Sequence, residues 1–201
     1  MSTSALPDLL PFLGFAALGS FTPGPNTTLA LAVGTRFGWR CVRTHAVGVA
    51  LGLGFMIALA AFGALALLLA LPGAERVLRW GGVGWMLWLA WQVSRGGTAR
   101  SGSGLDHPPR AWQSALLQWV NPKAWMLAIA VAATWSSAVA EQTARILIPV
   151  AIFGLTTAAA NYAWAALGSS MQDWLSQGRR QRGFDLAMGA LLAVNALALL
   201  A

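Results

Sequence analysis

The chain predicts an all-α integral membrane protein: six transmembrane helices forming a 3+3 inverted repeat, with the first and fourth helices broken by proline. Three observations lead there. Of 201 residues, 57% are hydrophobic and only 9% are charged, whereas a soluble domain carries about 25% charged residues to solvate its surface. The basic residues fall in the gaps between apolar runs rather than on one amphipathic or aromatic-interleaved element. That pattern fits orientation in a bilayer and argues against a nucleic-acid partner. Prolines interrupt two of the apolar runs at matching places.

Crossing hydrocarbon as a helix takes about 20 predominantly apolar residues. Six segments qualify: Leu9 to Val33, His45 to Leu71, Val77 to Ser94, Trp112 to Trp135, Ile146 to Ser169 and Phe184 to Ala201. Pro72-Gly73 and Ser176-Gln177-Gly178 supply turns between runs, and the Gly- and Ser-rich stretch from Gly96 reads as a flexible connection. The organisation is one membrane domain: a first half over 1–95, a cytoplasmic linker over 96–111 and a second half over 112–201.

Charge sets the orientation. The gaps after the first, third and fifth spans hold Arg36, Arg40, Arg43, Arg95, Arg100, Arg110, Arg179, Arg180 and Arg182, while the other gaps hold only Arg76, Arg79 and Arg145. The arginine-rich gaps are then cytoplasmic, and both termini lie outside. Five spans instead of six would put the C-terminus inside. With Asp8 and no Lys or Arg before Arg36, the N-terminus lacks a signal peptide's basic region, so the first run is expected to stay.

Two halves of three spans enter the bilayer from opposite sides, and each begins with a broken helix. Thr22-Pro23-Gly24-Pro25-Asn26 interrupts the first span, and Gln118-Trp119-Val120-Asn121-Pro122-Lys123 interrupts the fourth. Proline has no N–H, so Pro23, Pro25 and Pro122 deprive the carbonyls of Gly19, Phe21 and Gln118 of their helical donors. In hydrocarbon such orphans are tolerated only where protein, ordered water or a substrate satisfies them. Asn26, Thr27, Thr28, Gln118 and Asn121 stand near enough to do so. One such break is an ordinary kink with local repair; two at corresponding places in inverted halves point to a transporter's central site.

Lys123 lies about midway between Trp112 and Trp135. A lysine at that depth costs about 2.5–3.5 kcal/mol on insertion scales, so it must face a cavity or a partner. Two readings follow. Lys123 pairs with freed carbonyls and holds the break open, or it supplies a cation for a substrate carboxylate or a site of proton exchange.

No Asp or Glu is expected deep in a span: Asp8, Asp173 and Asp185 sit at ends, and Glu75, Asp106 and Glu141 lie in gaps. This argues against a carboxylate metal site, and neither a metal nor a cofactor is expected. The single Cys41 excludes an intrachain disulfide and a cysteine cluster. His45, beside a basic gap, reads as a solvated interfacial histidine. In the fifth span Thr157 and Asn161 share a helix face and either line a pathway or hydrogen-bond neighbouring helices; Asn195 in the last span has the same two readings. Gly48 and Gly52, with Ala46 and Ala50, have the small-xxx-small spacing of close helix packing. Trp39, Trp80, Trp112, Trp135 and Trp174 fall near span ends as an aromatic belt. Without a serine elbow or a phosphate loop, the chain is expected to be neither a hydrolase nor a nucleotide-driven pump.

Together, Pro23-Gly24-Pro25-Asn26, then Gly34, Gly38 and Arg40 in the spacing Gly-x-x-x-Gly-x-Arg, Gly48 and Gly52, and Asn121-Pro122-Lys123-Ala124 resemble the LysE/RhtB family of bacterial amino-acid exporters. The likeness runs from about Phe21 through Ala201. Trp88-Leu89-Ala90-Trp91 and Leu117-Gln118-Trp119-Val120-Asn121 look most like the branch that includes the cysteine and O-acetylserine exporter. The resemblance implies a multi-pass protein of the bacterial inner membrane that exports small zwitterionic amino acids or derivatives by proton antiport. It also implies a site formed by Pro23, Gly24, Pro25, Asn26, Asn121, Pro122 and Lys123, to which the reading of the residues adds Thr27, Gln118 and Asn161. The chain departs from the family at Cys41-Val42 and Met126-Leu127, which border the expected cavity and leave the substrate open. Expected partners are the substrate and the lipid bilayer, with a homo-oligomer left open. The alternatives are a transporter of another small solute, an intramembrane enzyme using Lys123, or a membrane assembly subunit.

Overall fold

The computed structural model describes residues 9–63, 70–95, 107–135, 142–175, 178–197 and 200. Among these residues every regular element is helical. The first apolar run folds as α1 (Leu9–Phe21) and α2 (Pro25–Phe37), parted at Thr22-Pro23-Gly24. A 3-10 turn (Trp39–Val42) leads into α3 (Arg43–Ala61), and α4 (Ala74–Ser94) follows. The fourth run is divided like the first, into α5 (Ala111–Trp119) and α6 (Pro122–Trp135). α7 (Gln142–Ser170), the one-turn α8 (Gln172–Leu175) and α9 (Gly178–Leu197) complete the chain.

Two stretches, Trp39–Ala61 and Ile146–Ser170, are each long and apolar enough to cross a membrane unaided. α1 and the greater part of α6 are shorter apolar helices, as a break within a run requires. The outward faces are apolar: Leu10 is 81% exposed, Leu51 66%, Leu155 73% and Val194 62%. Large apolar side chains spread over four helices in this way suit lipid and would be a liability in water. Trp39, Trp80, Trp112 and Trp174 are exposed near helix ends, as a belt requires. The chain is a helical membrane protein.

Two boundaries differ from expectation. α3 ends at Ala61, where the Phe62 amide donates to the Ala58 carbonyl and Gly63 takes φ 73°; the rest of the expected second span falls largely on residues outside the described ones. The linker over 96–106 also lies outside them. α9 begins at Gly178 instead of Phe184, so Arg179, Arg180 and Arg182 stand on its first turns and Asp185 lies two turns inside the helix. Asp185 is accordingly 1% exposed, buried within the protein. Of the expected turn Ser176-Gln177-Gly178, only Gly178 is among the described residues, and it starts this helix; arginines near a membrane surface extend to water from within a helix.

The packing interleaves the two parts of the sequence. α1 and α2 lie on α7, α5 and α6 lie on α3, α3 crosses α7, and α4 pairs with α9. Glycines bring several of these backbones together. A methyl added at Gly34 would overlap the Ala165 carbonyl, fixing α2 on α7, and one at Gly48 would overlap the Ala111 carbonyl, fixing α3 on α5. Gly52 continues that seam, 2.8 Å from the Ala115 oxygen at its would-be Cβ, so the small-residue spacing in α3 serves packing. Gly189 stands equally tight against Ser94 and Ala90 of α4. One apolar cluster joins α1, α3, α6 and α7 through Phe12, Met56, Leu127 and Phe153; another joins α2, α4, α5 and α9 through Leu29, Met86, Leu117 and Leu192.

Candidate functional site

The two breaks meet. α2 starts with Gly24 as N-cap and Pro25 in the first turn, where its missing N–H costs nothing. The Thr27 hydroxyl accepts the Gly24 N–H at 2.9 Å and lies 3.0 Å from the Gly24 carbonyl. α6 repeats the device. The Asn121 side chain accepts the Lys123 N–H at 3.1 Å, with Pro122 again in the first turn. Both helices therefore place a positively polarised N-terminus at the same interior region.

A reciprocal amide pair ties the breaks to each other: Asn26 Nδ2 donates to Gln118 Oε1 at 2.9 Å, and Gln118 Nε2 returns a bond to Asn26 Oδ1 at 3.1 Å. Gln118 Nε2 also donates to the Ser114 carbonyl at 2.8 Å. His45 closes the ring from α3. Its Nε2 lies 3.1 Å from the Asn26 carbonyl and its Nδ1 2.8 Å from the Ser114 hydroxyl. A carbonyl can only accept, so Nε2 carries the hydrogen and, in the neutral tautomer, the serine donates to Nδ1. The side chain is fully buried. This overturns the expectation of a solvated interfacial histidine, since close approach at Gly48 draws the start of α3 under α5.

Two of the three carbonyls freed by the prolines find donors other than the expected side chains. Trp164 Nε1 donates to the Phe21 carbonyl at 3.1 Å, and the main-chain N–H of Asn121 donates to the Gln118 carbonyl at 3.2 Å. Lys123 Nζ takes the Thr22 carbonyl at 2.6 Å, so the lysine of the second break braces the first.

A cavity of about 30 Å³ lies between the breaks. Gly24, Pro25, Asn26, Thr27, Gln118, Asn121, Lys123 and Asn161 of the expected site line it; Pro23 and Pro122 shape the breaks without reaching it. Thr157 joins Asn161 on the wall from α7. Asn161 Nδ2 donates to the Thr157 carbonyl at 2.8 Å, and its buried Oδ1 has no hydrogen-bond partner among the described residues. Ser20, Val49, Leu53 and Leu127 complete much of the lining and are not visible as site residues from sequence, because nothing marks them off from packing positions. Asn195 donates to Leu191 of its own helix and takes no part. So small a volume holds about two waters, whereas ligand pockets run to about 300–1,000 Å³, so the cavity must widen to take a solute.

Comparison with known proteins agrees with these features. The LysE type translocator family model matches residues 17–201. The cysteine/O-acetylserine efflux protein of Escherichia coli (strain K12) is 28% identical over 180 residues, covering 90% of this chain and 92% of the relative. The protein of the same description from Shigella flexneri serotype 5b (strain 8401) is 27% identical over the same shares. No solved structure matches. With the matching family covering both proline breaks and everything between them, the chain belongs to the LysE type translocators and is a transporter rather than an enzyme.

Proposed function

We propose that this transporter exports a small zwitterionic amino acid or a close derivative from the cytoplasm, in exchange for protons. The observation that carries the reading is that two proline-started helices from different parts of the chain converge on one polar cavity. The substrate carboxylate would lie against Lys123 and the N-termini of α2 and α6, where cationic and dipolar attraction add. Its ammonium would meet the unpartnered Asn161 Oδ1 and the side-chain oxygens of Asn26, Thr27 and Asn121. The relatives' description as cysteine/O-acetylserine efflux proteins supports a small amino acid bearing a thiol or an O-acetyl ester as the first candidate.

The exchange of partners between α1–α2 with α7 and α5–α6 with α3 supports two inverted halves of three spans, and the arginine pattern supports both termini outside. Rocking of one set of helices against another would widen the cavity alternately to each side. The 2.6 Å bond from Lys123 to Thr22 favours a second role for the lysine, as a brace that must let go when substrate arrives. Lys123→Gln separates the roles from mere folding: transport is expected to fall to background while the amount inserted in the membrane is unchanged. Normal export by that variant would remove the lysine from the mechanism.

The test of function is flux in proteoliposomes loaded with a panel of amino acids, with and without a pH gradient. Gradient-dependent movement of at least one small zwitterion is expected. Silence across the panel would count against export of amino acids, and flux indifferent to the gradient would count against proton exchange.

A further inference from the structure

A cavity larger than the central one lies beside it. About 270 Å³ in volume, it opens between α2, α4 and α5, lined among others by Leu29, Trp85, Gln92, His107, Gln113 and Ser114. Ser114 belongs to the ring of His45, Asn26 and Gln118, so this ring is the wall between the larger cavity and the central one. On the charge pattern of the chain this side faces the cytoplasm.

The helices around the larger cavity fall into tight pairs. Glycine contacts press α2 onto α7, α3 onto α5 and α4 onto α9 at backbone distance, and interfaces so close cannot part without losing packing along their length. Between α2 and the α4–α9 pair, by contrast, contact is made by side chains. Beside that seam Val120, at the second break, packs on α4: its Cβ lies 3.0 Å and its main-chain oxygen 3.3 Å from a Cβ built at Gly82, a close contact that gives α4 a fulcrum. At the far end of the same seam, Arg36 of α2 reaches across to both members of the pair. Its Nη2 donates to Asp185 Oδ1 of α9 at 3.2 Å and to the Val93 carbonyl of α4 at 3.0 Å. Gly82 and Val93 are eleven residues apart on one helix, a lever of about 16 Å.

The ion pair is buried, yet its bonding is incomplete: Arg36 Nε and Asp185 Oδ2 have no hydrogen-bond partner among the described residues. Packing alone does not call for such a pair, because apolar side chains in its place are commonly neutral or stabilising. A contact that must form and break in each cycle does call for one. The nearby Arg182 is occupied within the pair, donating to the Ser94 carbonyl at 3.0 Å.

We propose that the cytoplasmic entrance to the central cavity is the seam between α2 and the α4–α9 pair, with the larger cavity as its vestibule and Arg36–Asp185 as its latch. The proposal rests on the reading of the central cavity as a transport site and adds the route into it. The latch residues are positioning residues that hold the seam shut; they do not touch the substrate.

The test uses the full-length protein in inside-out vesicles, with Cys41→Ser to remove the native thiol and Ala124→Cys, buried in the wall of the central cavity, as the reporter behind the seam. The rate of maleimide labelling is read for the intact pair, Asp185→Asn, the doubly neutral R36Q/D185N and the charge swap R36D/D185R. Loss of the latch is expected to raise labelling about fivefold or more, the lower range of a coupling free energy. The swap is expected to bring labelling back towards the starting rate. R36Q/D185N leaves no orphaned charge, so it keeps the test valid where Asp185→Asn alone fails to fold. Equal labelling in all four proteins, or no recovery in the swap, would overturn the proposal. Because labelling needs no substrate, failure of the latch is distinguishable from failure of the transport reading, which shows itself as absence of flux with labelling still responsive.

Discussion

The amide pair between the breaks makes a quantitative prediction. Gln118→Met keeps the length of the side chain and removes its two bonds with Asn26 and its bond with the Ser114 carbonyl. Polar bonds between membrane helices average about 0.6 kcal/mol each and reach about 1.7. Three lost bonds therefore cost about 2 kcal/mol, moderated where the adjoining cavity admits water to the orphaned Asn26 amide. Asn26→Ala loses the same two reciprocal bonds and leaves the main-chain carbonyl on His45, at a cost of about 1 kcal/mol. Since the reciprocal bonds can be lost only once, the double variant should fall short of additivity by about 1 kcal/mol. The measurement is a double-mutant cycle from reversible unfolding in mixed detergent micelles. A coupling energy below about 0.3 kcal/mol, the scatter expected of independent sites, would refute the claim that this pair joins the two breaks.

Three further outcomes are expected. Gly34→Ala drives a methyl into the Ala165 carbonyl and should destabilise by about 1–3 kcal/mol in the same assay, whereas Gly154→Ala, with nothing within 4 Å of its would-be Cβ, should be neutral or gain up to about 1 kcal/mol in helix propensity. His45→Leu strands the Asn26 carbonyl and the Ser114 hydroxyl and should cost about 1–3 kcal/mol, with a matching fall in flux; an unchanged melting profile would contradict the ring. Trp164→Phe removes the donor to the Phe21 carbonyl and should lower stability by about 0.5–1.5 kcal/mol, since among the described residues that carbonyl has no other donor; no measurable loss would mean water replaces the indole.

The breaks were legible because proline and glycine act on their own backbone, so Pro23-Gly24-Pro25 and Asn121-Pro122 announce chain geometry without reference to any neighbour. The polar residues beside them were legible for the same reason, and Gly24, Asn26, Thr27, Gln118, Asn121 and Lys123 do share one cavity. Asn161 was within reach because two polar residues four apart in an apolar helix mark a face. What failed was partnership at long range. The indole of Trp164 on the Phe21 carbonyl joins positions 143 residues apart, and an aromatic in a membrane span gives no sign of which carbonyl it will find. The burial of His45 and Asp185 was not legible for a related reason. Each lies near charged neighbours in sequence, which reads as interface, but glycine-mediated approach of α3 to α5 and of α9 to α4 carries both into the interior.

The central claim is that the two broken helices build one substrate site. It is tested most directly by placing a reporter beside each break, Ser20→Cys for the first and Ala124→Cys for the second, in a Cys41→Ser background, since both positions line the cavity. A transported amino acid should protect both cysteines from maleimide, with the same half-protecting concentration. Protection of one cysteine without the other, or at clearly different concentrations, would contradict a shared site.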